Sequence, residues 1–387
     1  MSDFKLKITD GISKISKKQY ESIWSSSCFP TPFTKWEFLS AMEETGCVGD
    51  HTGWIPRPFQ LLNHKDEVYG IIPNYVKLHS FGEYVFDWSW ASAYEQAGLN
   101  YYPKWTIACP FSPIPGTKVL LKDAKLLKNF MNLLTEAALE EKISSIHLLF
   151  PIENEIYAAK DLDWLVRYGV QFHWKNKNYE SFDDYLNKLS QSKRKKIKAE
   201  RKKVASNGIF CKVLRGGNIS QSDWEFFYKC YERTYLEHGN PPYLSLEFFL
   251  YVARLMSESF VMVIAYKQST NKPIASSLII IEENKNQKIL YGRYWGAIER
   301  VSCLHFELAY YSVIEWAIEN KIDRYEGGAQ GEHKLARGFE AKKTYSAHWI
   351  SDKRFKNAVA NFLEKESNGI DYYISELTER TPFKKST

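Results

Sequence analysis

Two tryptophan-ended segments, Phe172-His173-Trp174 and Ala347-His348-Trp349, stand 175 residues apart in a chain of 387. Phe150 and Tyr325, each at the end of the strand-like run before it, share that offset. A common spacing of nearly half the chain indicates a tandem repeat of one unit. The element order agrees. In the second half, Ser181 and Asp184 start a helix whose pattern runs to Val204, with Gly208 past its end. A strand at Ile209–Leu214 and helices at Ser222–Leu236 and Ser245–Met256 follow, broken by Pro241-Pro242. Strand-like runs then cover Phe260–Lys267, Pro273–Glu282 and Lys288–Gly296. An amphipathic helix, Leu304–Asn320, precedes a short strand at Ile322–Glu326, a glycine-rich segment and a last strand, Lys343–Ile350. The first half predicts strands at Phe4–Ile8, Pro58–Asn63, Val68–Leu78, Tyr84–Trp88, Ile146–Phe150 and Val170–Trp174. Its helices are Lys17–Trp24, Thr34–Thr45 and Asp123–Glu141. The pattern predicts an α/β protein with mixed sheets in two domains, 1–175 and 176–387.

Charge is concentrated rather than spread. The formal net charge is +6, yet the run from Lys193 to Lys203 has eight basic residues and one acid, Glu200. Lys193, Arg194, Lys195, Lys196, Lys198, Arg201 and Lys202 would attract a polyanion such as tRNA or another phosphate-bearing donor, with binding that weakens steeply in salt. A solvated helix face explains the same run equally well. Aromatic residues make up 16% of the chain, which suits a cleft that grips a large ligand as well as a packed core. Six cysteines without a Cys-x-x-Cys pair argue against a zinc ribbon or a disulfide scaffold and fit reduced thiols. The amino terminus lacks an apolar signal region, and no apolar run approaches the ~20 residues of a spanning helix. These features predict a soluble, cytoplasmic protein with no metal site and no covalently bound cofactor.

The segment Glu326–Glu340 holds Gly327, Gly328, Gly331 and Gly338 among Gln330, Glu332, His333, Lys334 and Arg337. Glycines let backbone N–H groups approach an anion or oxyanion. Glu332 and His333 are suited to taking a proton from an attacking ammonium, and Lys334 to holding developing negative charge. A structural turn with solvated charges is the plainer alternative. On the preceding strand, alternation places Tyr291, Arg293 and Trp295 on one face, and an arginine between two rings suits an anionic ligand. In the first half, Asp87 and Trp88 lie in an aromatic stretch where a carboxylate would accept a substrate amine.

These residues also carry a family resemblance. Tyr291-Gly-Arg-Tyr-Trp295, Ile314-Glu-Trp-Ala-Ile318 and Glu326-Gly-Gly-Ala-Gln-Gly-Glu-His-Lys-Leu-Ala-Arg-Gly-Phe339 resemble a predicted N-acyltransferase family of the GNAT fold. That family is related to the Fem-type peptidoglycan aminoacyltransferases. The resemblance implies tandem GNAT-like domains of the Fem type. It also implies transfer of an aminoacyl or acyl group to an amine, in the Fem enzymes from aminoacyl-tRNA to a cell-wall precursor. Gly331–Phe339 is similar to the Fem glycine turn followed by Phe-Lys-x-x-Phe-Gly; Lys334 matches its Lys, whereas His333 replaces the first Phe. The usual coenzyme A cradle is absent from Arg300-Val-Ser-Cys-Leu-His305, where Cys303 and His305 stand in place of small residues. The expected donor is therefore aminoacyl-tRNA or, alternatively, an acyl-CoA. A non-catalytic polyanion-binding protein on the same fold is the competing class.

Overall fold

A computed structural model describes residues 4–284, 287–328 and 331–384. The chain forms two compact units: Met1–Gly169 with Lys343–Tyr372, and Val170–Lys342 with Tyr373–Thr387. The boundaries near Gly169 and Lys342 fall inside two long strands, Leu165–Lys175 and Phe339–Ile350. The last strand of each sequence half thereby contributes to the sheet of the other unit.

In the first unit, Lys104–Ile107 and Ser145–Leu149 pair in parallel, and the helix Leu127–Glu140 supplies the crossover that a parallel pair needs. Asn74–Lys77 flanks one side of this pair and Ser346–Ile350 the other, both antiparallel. A separate four-stranded sheet contains Phe4–Ile8, Phe59–Asn63, Val68–Ile72 and Leu120–Leu121. Phe59, Trp105, Phe130, Ile146, Leu148 and Trp349 form the core of this unit.

The second unit is a run of antiparallel strands, Ile209–Arg215, Phe260–Lys267, Pro273–Glu283 and Lys288–Ala297. Arg324–Glu326 adds parallel to the last of these, and His173–Lys175 adds antiparallel to it in turn. The helix Gln221–Glu237 begins with a reciprocal cap: Ser220 Oγ accepts from the Asp223 amide at 3.2 Å, and Asp223 accepts from the Ser220 amide at 2.9 Å. It lies so close to the sheet that a methyl on Gly296 would sit 1.9 Å from the Cys230 carbonyl oxygen. Gly296→Ala should therefore destabilise the protein by about 3 kcal/mol in urea melts, the upper range for an overpacked core. A loss below 1 kcal/mol would mean that the helix can slide away from the strand.

Several sequence expectations change, among them the strand Val68–Leu78, which is two strands, Val68–Ile72 and Asn74–Lys77, in different sheets. The predicted helix from Ser181 to Val204 is two helices, Phe182–Lys188 and Gln191–Ser206. Ser190 is extended between them because its amide donates to Pro382 O at 2.9 Å and Leu189 bridges to Phe383. The expected strand Tyr84–Trp88 does not form; Glu83 and Asp87 turn inward onto Lys104, and a helix begins at Trp88. The repeat is real at the tryptophans but not at Phe150. Trp174 is in register with Tyr325, and Trp349 with Ile146, so Ile146 is the counterpart of Tyr325. Phe150 lies beyond its strand in a left-handed conformation, φ 52°. A long terminal helix, Lys353–Glu379, was outside the sequence pattern altogether.

Candidate functional site

In the second unit, Lys288–Ala297 and Arg324–Glu326 share register only from Ile289 to Tyr291. At that point the first strand is also bulged. Ile279 faces Gly292 and Leu278 faces Tyr294, so Arg293 is the extra residue. The bulge and the end of pairing leave a cavity of about 140 Å3 lined by Arg293, Trp295, His305, Tyr310, Tyr325 and Gly327. The helix that closes it, Leu304–Glu319, is wound as a π-helical turn at Glu307–Tyr311. Such turns are costly and recur at functional sites. This one brings Tyr310 to the cavity and sends Tyr311 toward the basic helix Gln191–Ser206.

The bulge also corrects the simple alternation. Tyr291 is in register with Ile280 and Trp295 with Ser277, positions of opposite parity on the neighbouring strand, so the two rings face opposite sides. Tyr291 is fully buried away from the cavity, while Trp295 lines it with its ring 4.7 Å from that of His305. Arg293 lies 5.2 Å over the Tyr294 ring.

The glycine-rich segment runs beside the same strand end. Gly327 donates to Phe172 O at 2.8 Å and Phe172 donates to Gly328 O at 3.1 Å. Gln330 lies outside the described residues. Gly331 has φ 98° and leads into a six-residue 3-10 turn, Glu332–Arg337. On that turn, His333 Nε2 is 3.1 Å from the Tyr310 hydroxyl. Burial, then the charges of Arg337 and Lys334, hold His333 below its ordinary value. Burial likewise draws His305 down to about 4. Both imidazoles are neutral at pH 7 and able to accept a proton. Lys334 is 5% exposed; its Nζ donates to Gly328 O at 3.3 Å, and burial draws its pKa down to about 8. Glu332 faces elsewhere: it accepts from the Tyr373 hydroxyl at 2.9 Å and pairs with Arg380 at 2.9 Å. Arg337 is 2% exposed and has its donors occupied inside, on Glu200, Tyr311 and His333 O.

The basic helix divides by face. Lys195, Lys196, Lys198 and Lys202 are exposed, and Lys193 and Arg194 are half-buried. Arg201 is turned inward, 2.7 Å from Glu315 and 3.1 Å from Glu307. Ile197 and Val204 bury the opposite side.

Asp87 and Trp88 belong to the first unit. Trp88 is exposed, with its ring 4.8 Å from that of Phe81. Asp87 is 1% exposed and accepts from Tyr101 at 2.6 Å and from Lys104, which also donates to Glu83 at 2.9 Å. Burial opposes the Asp87 charge, but Lys104 outweighs it and keeps the carboxyl ionised. Burial pushes Glu83 up to about 7 despite the same lysine. Tyr101 continues the network to His147, whose Nδ1 is 2.7 Å from Nδ1 of His348 directly across the strand pair. Ser145 and Ser346 hold the outer nitrogens, each at 2.8 Å. Only one proton fits between the two Nδ1 atoms, so the rings cannot both be charged, and burial lowers both and favours the neutral pair.

That geometry has a pH consequence. A histidine kept neutral in the fold takes up its proton on unfolding, so stability is full above the unfolded value near 6.5 and falls as the pH drops below it. Each ring should remove about 2 kcal/mol between pH 6.5 and 5. Urea midpoints at the two pH values should differ less in His147→Gln/His348→Gln than in the parent. Glu83 acts in the opposite sense in both proteins, because an acid raised in the fold binds its proton more readily there. Equal pH slopes would show that the pair accepts a proton without opening.

Sequence reasoning missed Tyr310, Tyr311 and the inward turn of Glu200. Two hydroxyls in an otherwise apolar helix face were the available signal; the π turn that separates their directions has none. Among the described residues, no group of three His, Cys, Asp or Glu side chains is arranged to hold a metal ion, and no helix is long and apolar enough to cross a membrane.

The FemAB-like family profile, described as peptidoglycan biosynthesis/recognition, matches residues 11–385. No curated protein matches the chain. The crystal structure of FemX superposes with a TM-score of 0.54 at 11% identity, covering 92% of this chain and 100% of FemX. L-PGS from Bacillus licheniformis superposes at 0.52 and 10% identity, covering 90% of this chain and 97% of the other. A tandem GNAT protein from the clavulanic acid biosynthesis pathway superposes at 0.45 and 9% identity, covering 90% and 100%. At these identities the likeness is one of fold, and with FemX it bears out the expected Fem-type tandem α/β class.

Proposed function

The chain belongs to the FemAB-like family, a family of acyl- and aminoacyltransferases, and from that premise we propose that it transfers an aminoacyl group from aminoacyl-tRNA to an amine of a cell-wall precursor in the cytoplasm. The observation that carries this reading is the Tyr310–His333 pair, in which Tyr310 lines the strand-end cavity and His333 stands behind it. The acceptor amine attacks the ester carbonyl of the donor and must lose a proton as the C–N bond forms. Tyr310 takes that proton while passing its own to the neutral His333 ring, 3.1 Å away. Lys334 and the backbone N–H groups of the glycine segment stabilise the oxyanion. Collapse of the intermediate restores the carbonyl and expels the tRNA ribose oxygen, which leaves as a hydroxyl by taking the proton back from His333 through Tyr310. Arg293 and Trp295 hold the acyl end, and Lys195, Lys196, Lys198 and Lys202 hold donor phosphates. The absence of the usual coenzyme A cradle favours tRNA over acyl-CoA as donor, and no cofactor is required beyond the donor itself.

The test offers radiolabelled aminoacyl-tRNAs and acyl-CoAs in parallel, with a lysine-containing muropeptide as amine, and follows product by mass spectrometry. Product from charged tRNA alone is expected. Product from acyl-CoA alone would replace the donor, and no product from either would remove the reading. Tyr310→Phe should lower kcat about 100-fold with KM unchanged, as expected for a lost proton carrier. A change confined to KM would make Tyr310 a binding residue.

A further inference from the structure

Glu200 is the one acid in the basic run, and it does not face the solvent with its neighbours. Its side chain is 12% exposed. Glu200 Oε2 accepts from Arg337 Nη2 at 2.8 Å and from the Tyr311 hydroxyl. Arg337 Nε donates back to the Tyr311 oxygen at 2.9 Å, which closes a three-membered ring of bonds. From that ring Arg337 reaches in two further directions. Its Nη1 donates to His333 O at 2.7 Å, and its guanidinium lies 3.6 Å from the Phe306 ring centroid. Tyr185 donates to the Arg337 carbonyl at 2.6 Å.

A guanidinium buried this deeply needs a paired carboxylate, because an uncompensated buried charge is strongly destabilising. Glu200 is the carboxylate bonded to it. The same bonds tie together the basic helix, the π-helical turn that carries Tyr310 and Tyr311, and the 3-10 turn that carries His333 and Lys334. Resting on the acyl-transfer reading above, we infer that Glu200 is a positioning residue: through Arg337 it sets the distance between His333 and Tyr310. The residue touches neither the cavity nor any reacting atom. It acts on the placement of Tyr310, which lines the cavity, and of His333, which is bonded to Tyr310.

The experiment uses the full-length protein with isotope-labelled histidine, and follows the His333 ring signal against pH, assigned by its loss in His333→Gln. The groups facing that ring are Tyr310, His305, Arg337 and Lys334. In the parent, the midpoint lies below the ordinary 6.5. In Glu200→Gln the turn is released and the ring reaches water, so the midpoint should rise toward 6.5. If Glu200 acts only through its charge, its removal leaves Arg337 uncompensated and the midpoint falls further; that result, or no shift, overturns the proposal. Glu315→Gln, which removes an acid that pairs with Arg201 on the same helix, should leave the midpoint where it is. Should Glu200→Gln fail to fold, Tyr311→Phe removes one bond of the ring without a change of charge, and the same upward shift, smaller, is required of it. The titration needs no donor or acceptor, so it decides the positioning role even if no transfer activity is found. Where transfer is found, Glu200→Gln should lower kcat about 10- to 100-fold at constant KM, the scale of a misplaced catalytic group.

Discussion

Lys334→Met should lower turnover by about 100- to 1000-fold while changing substrate affinity little, the usual loss when one oxyanion donor is removed. The side chain is 5% exposed beside the glycine segment, so methionine fills its volume without placing a new polar group in the interior. A pH profile sharpens the expectation. Burial draws the Lys334 ammonium down to about 8. If the cation stabilises the oxyanion, kcat/KM falls above about 8 as the proton leaves. That descending limb should vanish in Lys334→Met. A profile that instead rises through pH 8 would make the neutral amine the base, in place of His333. Turnover within a few-fold of the parent would leave Lys334 as packing against Phe172, whose ring lies 5.8 Å from Nζ.

Replacing Lys195, Lys196, Lys198 and Lys202 together with Gln should flatten the salt dependence of tRNA binding by about 3 to 4 units of slope, near 0.9 for each phosphate no longer neutralised. At low salt the affinity should fall by orders of magnitude. The fold should survive, since all four side chains are exposed while Ile197 and Val204 hold the inner face. Their ion pairs add little to stability. Lys198 lies 3.1 Å from an exposed Asp183, and an exposed pair of this kind contributes at most about 1 kcal/mol; Lys196 lies 4.0 Å from Glu200, whose carboxylate is already bonded to Arg337. Fluorescence anisotropy across a salt series reads both quantities. An unchanged slope would reduce the helix to a solvated face.

Arg201 illustrates how far the basic run was legible. Its residue type and position suggested a phosphate contact alongside the lysines, and a helical wheel does place it near Lys198 and Lys202. Glu307 and Glu315 nonetheless draw it inward. Those acids are far away in sequence, 106 and 114 residues on, and only the packing of two helices makes them neighbours. Glu332, His333 and Lys334 are a second case. Three chemically suitable residues in a row are equivalent by residue type and spacing. The 3-10 turn then aims them differently: Glu332 to Tyr373 and Arg380, His333 to Tyr310, and Lys334 inward to Gly328 O.

What the amino-acid order determined by itself was whatever depends on local pattern. Strand alternation, helix periodicity and capping placed Phe260–Lys267 to the residue and Gln221–Glu237 to within one. The tryptophan offset identified the repeat, and the glycine-rich segment identified where the backbone comes close to a strand end. The tertiary structure decided everything that depends on register and on charge pairing across distance. A single extra residue at Arg293 reverses which face Tyr291 and Trp295 occupy, because side-chain direction alternates with every residue and a bulge shifts the count by one. The ring of Glu200, Tyr311 and Arg337 joins residues 111 and 137 apart from Glu200, and no window of sequence contains them. Buried ionic groups must find partners wherever the fold supplies them. Those partnerships, rather than local propensity, determine which of the chemically suitable side chains reach the cavity.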